Sequence, residues 1–203
     1  MNDWQLLQDY AKRGSEAAFR ALVQRHLGCI HAAAQRQVND SQLAEEVTQA
    51  VFILLARKAG SFGREVVLPG WLFRTTRFVA ARAVRSERRR QQREREAFEM
   101  QQIQSPKSTS PAPSPLLDEA LARLGERDRN AVLLRFAHDQ SLREVGAQLG
   151  VSEEAAKKRV SRALERLRSF FAGRGFAVSV AALAGVLSQS LAQAGPGVVV
   201  TCR

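Results

Sequence analysis

The 203-residue chain carries 31 lysines and arginines against 20 acids, a formal net charge of +11. That excess goes beyond what solubility requires and points to a polyanionic partner, either nucleic acid or an anionic surface. Cys29 and Cys202 lie far apart in dissimilar contexts, which argues against a disulfide framework and fits a reducing, cytoplasmic setting. The longest apolar run, Phe176 to Leu191, is broken by Ser179, Ser188, Gln189 and Ser190. It also falls short of the roughly 20 residues a spanning helix needs, so no stable membrane insertion is expected. Nor is a signal peptide expected, because Met1 to Tyr10 is polar and amphipathic.

Apolar residues recur at helical spacing from Trp4 to about Phe98. Asp3 can cap a short helix running to about Lys12, and Ser15 can cap a second. In the second helix Ala18, Phe19, Leu22, Val23, His26, Leu27 and Ile30 share one side. After a turn at Asn39-Asp40-Ser41, a third helix carries Leu43, Val47, Ala50, Val51, Leu54 and Leu55, and Gly60 and Gly63 interrupt it. A fourth, long helix is predicted from near Trp71, just after Pro69-Gly70, into an arginine-rich stretch. The segment 101–115, QQIQSPKSTSPAPSP, is too polar and proline-rich to bury a core and reads as a linker. Strand patterns are nearly absent. The expected fold is all-α: two small helical domains at 1–98 and 116–172, a linker over 99–115 and an apolar C-terminal extension over 173–203. That extension is expected to add a helix docking in the protein or on a partner.

The sharpest local signal lies between Leu142 and Phe171. Leu142, Val145 and Leu149 make the inner stripe of a short helix, Gly150 the tight turn, and Val151 a plug between helices. Ser152 is a plausible N-cap, with Glu153 and Glu154 suited to the helix dipole. The next helix sets Ala156, Val160, Ala163, Leu164, Leu167 and Phe171 on one face and Lys158, Ser161, Arg162 and Glu165 on the other. Lys157, Arg159, Arg166 and Arg168 flank that outer face. A helix-turn-helix with long donors on its second helix is what major-groove readout requires.

Taken together with this motif, two further segments resemble the sigma-70 family. Residues 43–57, LAEEVTQAVFILLAR, resemble its polymerase-binding segment, and 71–90, WLFRTTRFVAARAVRSERRR, its promoter-melting segment. Residues 142–168 resemble the domain that reads the −35 element, with Lys157, Arg159, Arg162 and Ala163 matching its K-x-R-x-x-R-A pattern. With little room for further domains in these 203 residues, the chain looks like the extracytoplasmic-function group. The resemblance covers about residues 3–172.

It implies a sigma factor that directs RNA polymerase core to promoters and assists melting, without enzymatic activity. The implied core contacts are Glu45, Glu46 and Gln49, against the coiled coil of the largest subunit, with the flap region as a second docking place. Acids and an amide suit a basic partner by charge complementarity. The implied −10 contacts are Phe62 in the loop before the fourth helix and Arg74, Arg77, Arg82 and Arg85 along it. Phe62 fits base stacking and core packing equally well, whereas Trp71 reads as core. The run from Arg88 to Arg95 favours nucleic acid over a merely solvated helix end. The implied −35 contacts are Lys157, Lys158, Arg159, Ser161, Arg162 and Arg166. Arg162 and Lys158 are the candidates for base edges; Lys157 and Arg159 are those for phosphate. An anti-sigma factor or other regulator is a further implied partner.

Three positions depart from the family pattern. Phe78 stands where many relatives have asparagine, Ala50 where an acid is common, and Glu154 where glycine often opens the recognition helix. No nucleophile triad or nucleotide-binding motif is evident, and no cofactor is expected. His26, Cys29 and His31 have metal-ligating chemistry, but helical spacing turns His31 away from the other two and no fourth ligand is evident. Packing, not a metal, is the expected role.

Overall fold

The computed structural model describes residues 1–98 and 114–192. Four helices build a first module: α1 (Asp3–Arg13), α2 (Glu16–Val38), α3 (Ser41–Lys58) and α4 (Leu68–Phe98). Five build a second: α5 (Ser114–Arg123), α6 (Glu126–Val132), α7 (Leu142–Leu149), α8 (Glu153–Ala172) and α9 (Val180–Ala192). No strand occurs among the described residues, in line with the all-α expectation. Most of the linker stretch lies outside them.

The helix boundaries follow local chemistry. Ser15 accepts a hydrogen bond from the Ala18 amide and Asp40 from that of Leu43, while Asn39 closes α2 at φ 53°. Two expectations need correction. The cap of α1 is Asn2, not Asp3: the Asn2 carboxamide accepts from the Gln5 amide, and the Gln5 side chain accepts from the Asn2 amide in return. Asp3 is thereby freed to turn toward α2. The fourth helix begins at Leu68, not near Trp71, because a proline in the first turn gives up no helical hydrogen bond.

Each module has its own core. In the first, Leu6, Leu22, Val47, Val51, Leu55 and Leu72 are buried together. In the second, Leu121, Leu134, Val145, Val160, Leu167 and Leu187 are. Burying one such side chain contributes about 1.5–3 kcal/mol. Along α3 the buried stripe is Ala44, Val47, Thr48, Val51, Phe52 and Leu55, with Leu43, Ala50 and Leu54 at its edge. After α6 the chain continues as a π-helical turn over Leu133–Ala137. The C-terminal extension does add a helix docking in the protein. Leu183, Leu187 and Leu191, spaced by four, are its buried face, and it packs on α2, α8 and the π-helical turn.

The two modules pack against each other. α2 meets α5 and α9, and α4 meets α6 and the π-helical turn. Phe73 of α4 belongs to the second module's core. Gly70 leaves no room for a side chain because Asn130 of α6 lies against it.

Candidate nucleic-acid interface

The helix-turn-helix is built by its caps. Ser141 and Glu144 form a reciprocal capping box at the start of α7, and Gly150 ends it in the left-handed region at φ 64°. A Cβ on Gly146 would come within 2.8 Å of the Val151 carbonyl, so the turn folds back over a helix position that needs glycine. Ser152 accepts from the Ala155 amide and starts α8.

One stripe of α8, Ala156, Val160, Ala163, Leu164 and Leu167, is buried against the module. Lys157, Lys158, Ser161, Arg162, Glu165 and Arg166 are exposed, and Arg159 is half-buried. Arg162 and Arg166 are not free rods. Asp128 of α6, itself only 8% exposed at its side chain, accepts from Arg162 at 3.2 Å and from Arg166 at 2.8 Å. Both arginine side chains stay more than half exposed, so each keeps donors for a ligand while its direction is set. Lys158 stands 4.0 Å from Glu154, four residues away, a spacing that leaves it readily recruited elsewhere.

On α4, Arg74, Arg82 and Arg85 are exposed, while Arg77 is half-buried. Arg77 lies close enough to the second module for its charge to act on Asp118 and Arg129. Arg74 pairs with Glu126 of α6 at 2.8 Å, both side chains about half exposed. Phe78 is the addition that sequence reasoning passed over as a missing asparagine. It is 64% exposed, and at 100° per residue it falls among Arg74, Arg82 and Arg85. An uncovered aromatic between arginines has a ring face on which a base could stack. That spacing was available in the sequence. Phe62 is half-buried and stands edge-on to Trp71, ring centroids 5.0 Å apart at 87°.

Glu45, Glu46 and Gln49 are all exposed on α3, on the side opposite Ala44, Val47, Val51 and Leu55. The structure thus brings the acidic set together and holds it clear of both cores.

The family comparison decides what this pairing of modules is. Sigma-70 region 2 matches residues 22–90, and Sigma-70, region 4, matches residues 120–169. RNA polymerase sigma factor CarQ of Myxococcus xanthus is 32% identical over 161 residues, covering 76% of this chain and 90% of that protein. The chain belongs to the sigma-70 family. RNA polymerase sigma factor NccH of Alcaligenes xylosoxydans xylosoxydans is 27% identical over 168 residues, covering 77% of this chain and 88% of that one. The solved structure of CnrH in complex with the cytosolic domain of CnrY aligns at 21% identity and a TM-score of 0.41, covering 85% of this chain and 99% of that one. This sigma factor carries regions 2 and 4, the arrangement of the extracytoplasmic-function group, and is a promoter-specific initiation factor, not an enzyme. Its partners are RNA polymerase and promoter DNA. No helix among the described residues is long and apolar enough to cross a membrane.

Polar groups also join the two modules of this sigma factor. Arg36 of α2 donates to both carboxylate oxygens of Asp118 in α5, at 2.8 and 3.3 Å, and to the Ser190 carbonyl of α9 at 2.5 Å. Burial raises the Asp118 carboxyl above its ordinary range, and the Arg36 charge and hydrogen bonds offset that only in part. Nearby, burial pushes the Cys29 thiol up to about 12 and the His138 imidazole down to about 3, the latter aided by His26. Burial would also raise Asp3, but His26 and Arg25 outweigh it and hold that carboxyl at about 2. None of these contacts was foreseen from the sequence.

Proposed function

We propose that this sigma factor divides promoter recognition between α8 and α4 and docks on polymerase core through α3, acting in the cytoplasm. On α8, Arg162 and Lys158 address base edges of the −35 element, and Lys157, Arg159, Ser161 and Arg166 address phosphates and neighbouring edges. On α4, Arg74, Arg82 and Arg85 track the −10 backbone. Phe62 and Phe78 offer ring faces to bases leaving the stack, and Arg77 joins them once α4 parts from the second module. Glu45, Glu46 and Gln49 meet the basic coiled coil of the largest subunit. Melting draws on binding free energy: unstacking costs a few kcal/mol per base, and stacking on an aromatic offsets about 1–3 kcal/mol of it.

The observation that supports this most is the two-faced α8. Its inner stripe is at most 7% exposed, while the donors opposite are exposed, two of them fixed in direction by Asp128. Run-off transcription with purified core polymerase and a promoter library tests the reading. Discrete start sites should appear only when the protein is added, with conserved −35 and −10 blocks among the selected templates. A repressor-like protein would instead bind a specific duplex tightly by itself and yield no new transcript.

A further inference from the structure

His26 and Cys29 on α2 face His138, which follows the π-helical turn of the second module. The ligand atoms of the three lie within 4.8 Å of one another. Cys29 Sγ is 3.9 Å from His138 Nε2, and the two imidazoles stand edge-on with centroids 4.7 Å apart. His26 is fully buried. Its Nε2 is taken by Asp3 Oδ2 at 3.0 Å, and Nδ1 is left without a hydrogen-bond partner. A buried nitrogen left unpaired costs about 1–3 kcal/mol. A carboxylate gripping one ring nitrogen while the other stays open is how metal-ligating histidines are oriented. Asp3 is in turn gripped by Arg25 at 2.5 Å. A cavity of about 20 Å³ borders Cys29 and His138, enough for roughly one water or one ion.

We propose that His26 Nδ1, Cys29 Sγ and His138 Nε2 bind one divalent transition-metal ion of the zinc type, clasping the first module to the second. Two imidazoles and a thiolate form a borderline-soft donor set, suited to Zn²⁺ and ill suited to Mg²⁺ or Ca²⁺. Bonds of about 2.0–2.3 Å in tetrahedral geometry set donors about 3.5 Å apart. The present separations therefore need to close by roughly 1 Å, which side-chain rotation supplies. Coordination replaces the Cys29 S–H bond with a sulfur–metal bond, and the proton leaves to water. A water in the cavity completes the fourth position. Because α2 supplies two ligands and the second module the third, the ion stabilises the arrangement in which the modules pack over any in which they part. Residue 31, read from the sequence as the third member, is replaced by a histidine 109 residues from Cys29. The site stands independently of the promoter assignments, since it is read out by metal binding alone.

The test titrates full-length, reduced, metal-free protein with Co²⁺, and with Zn²⁺ in competition with a chromophoric chelator. One equivalent should bind, with a thiolate-to-cobalt charge-transfer band and intense tetrahedral d–d absorption, and Zn²⁺ should raise Tm. Cys29→Ser should abolish the charge-transfer band. His138→Ala should weaken Zn²⁺ binding at least tenfold and remove the Tm rise, and Asp3→Asn should weaken it about 10–100-fold. His31→Ala and Cys202→Ser should leave binding intact. Absence of the thiolate band from wild-type protein would overturn the proposal whether or not the variants fold. So would a Zn²⁺ affinity undiminished in folded His138→Ala, or a wild-type Tm indifferent to Zn²⁺.

Discussion

Arg162 on α8 and Arg36 on α2 are each paired with an aspartate, at 3.2 and 2.8 Å, yet the first side chain is 58% exposed and the second 8%. The Arg162 side chain is still screened by water although its partner Asp128 is buried, so this pairing contributes less to stability and leaves donors to spare. The intermodule pair with Asp118 is dry. There the cost of removing two charges from water nearly matches their attraction, and the pair acts chiefly as a pin that sets how the modules meet. A net charge of +11 therefore serves two ends, and burial, not residue type, separates them.

The comparison breaks most visibly at Asp118. Asp118→Ala leaves Arg36 buried without its carboxylate and should cost about 3–5 kcal/mol in urea unfolding. The double change Arg36→Met with Asp118→Leu should recover most of that loss. Acid should not mimic the single change. A carboxyl whose folded pKa is raised gains stability as pH falls through that value, so Asp118 itself does not drive acid unfolding. At Arg162 the emphasis reverses: because Arg166 still pairs with Asp128, Arg162→Ala should leave unfolding almost unchanged while removing about 1–3 kcal/mol of discrimination at one −35 base pair, measured by transcription from single-substitution promoters. Phe78→Ala should cost about 1 kcal/mol in open-complex stability, with duplex binding unaffected, as followed by permanganate reactivity of unpaired thymines. The smallest effect belongs to Lys157→Ala, which should weaken all promoters alike and reduce the salt slope of binding by about 1.

What could be read in advance was what lies within one or two helical turns. Ser152, Gly150 and the Ala156–Leu167 stripe define the helix-turn-helix because caps and faces depend on neighbours a few residues apart. Even there, choosing between Asn2 and Asp3 as a cap required knowing that Asp3 is drawn to His26 and Arg25. The start of α4 was misplaced because Pro69 looks like a breaker, although a first turn has no helical bond for it to break. Contacts between elements distant in the chain, whether across the modules or within one, were illegible for a different reason. Arg36 and Asp118 are 82 residues apart, and Arg166 and Asp128 are 38 apart, and no periodicity connects such positions. Phe78 is the intermediate case: its place among the arginines follows from helix geometry, but its exposure does not.

Co-elution of the purified chain with RNA polymerase core bears most directly on the claim that two helical modules serve one multisubunit enzyme. The wild-type chain should form a stoichiometric complex, and Glu46→Lys, which reverses an exposed charge on α3 far from either core, should fail to join while remaining folded. A chain that never associates with core at any salt concentration, or a Glu46→Lys variant that joins as well as wild type, would contradict the account.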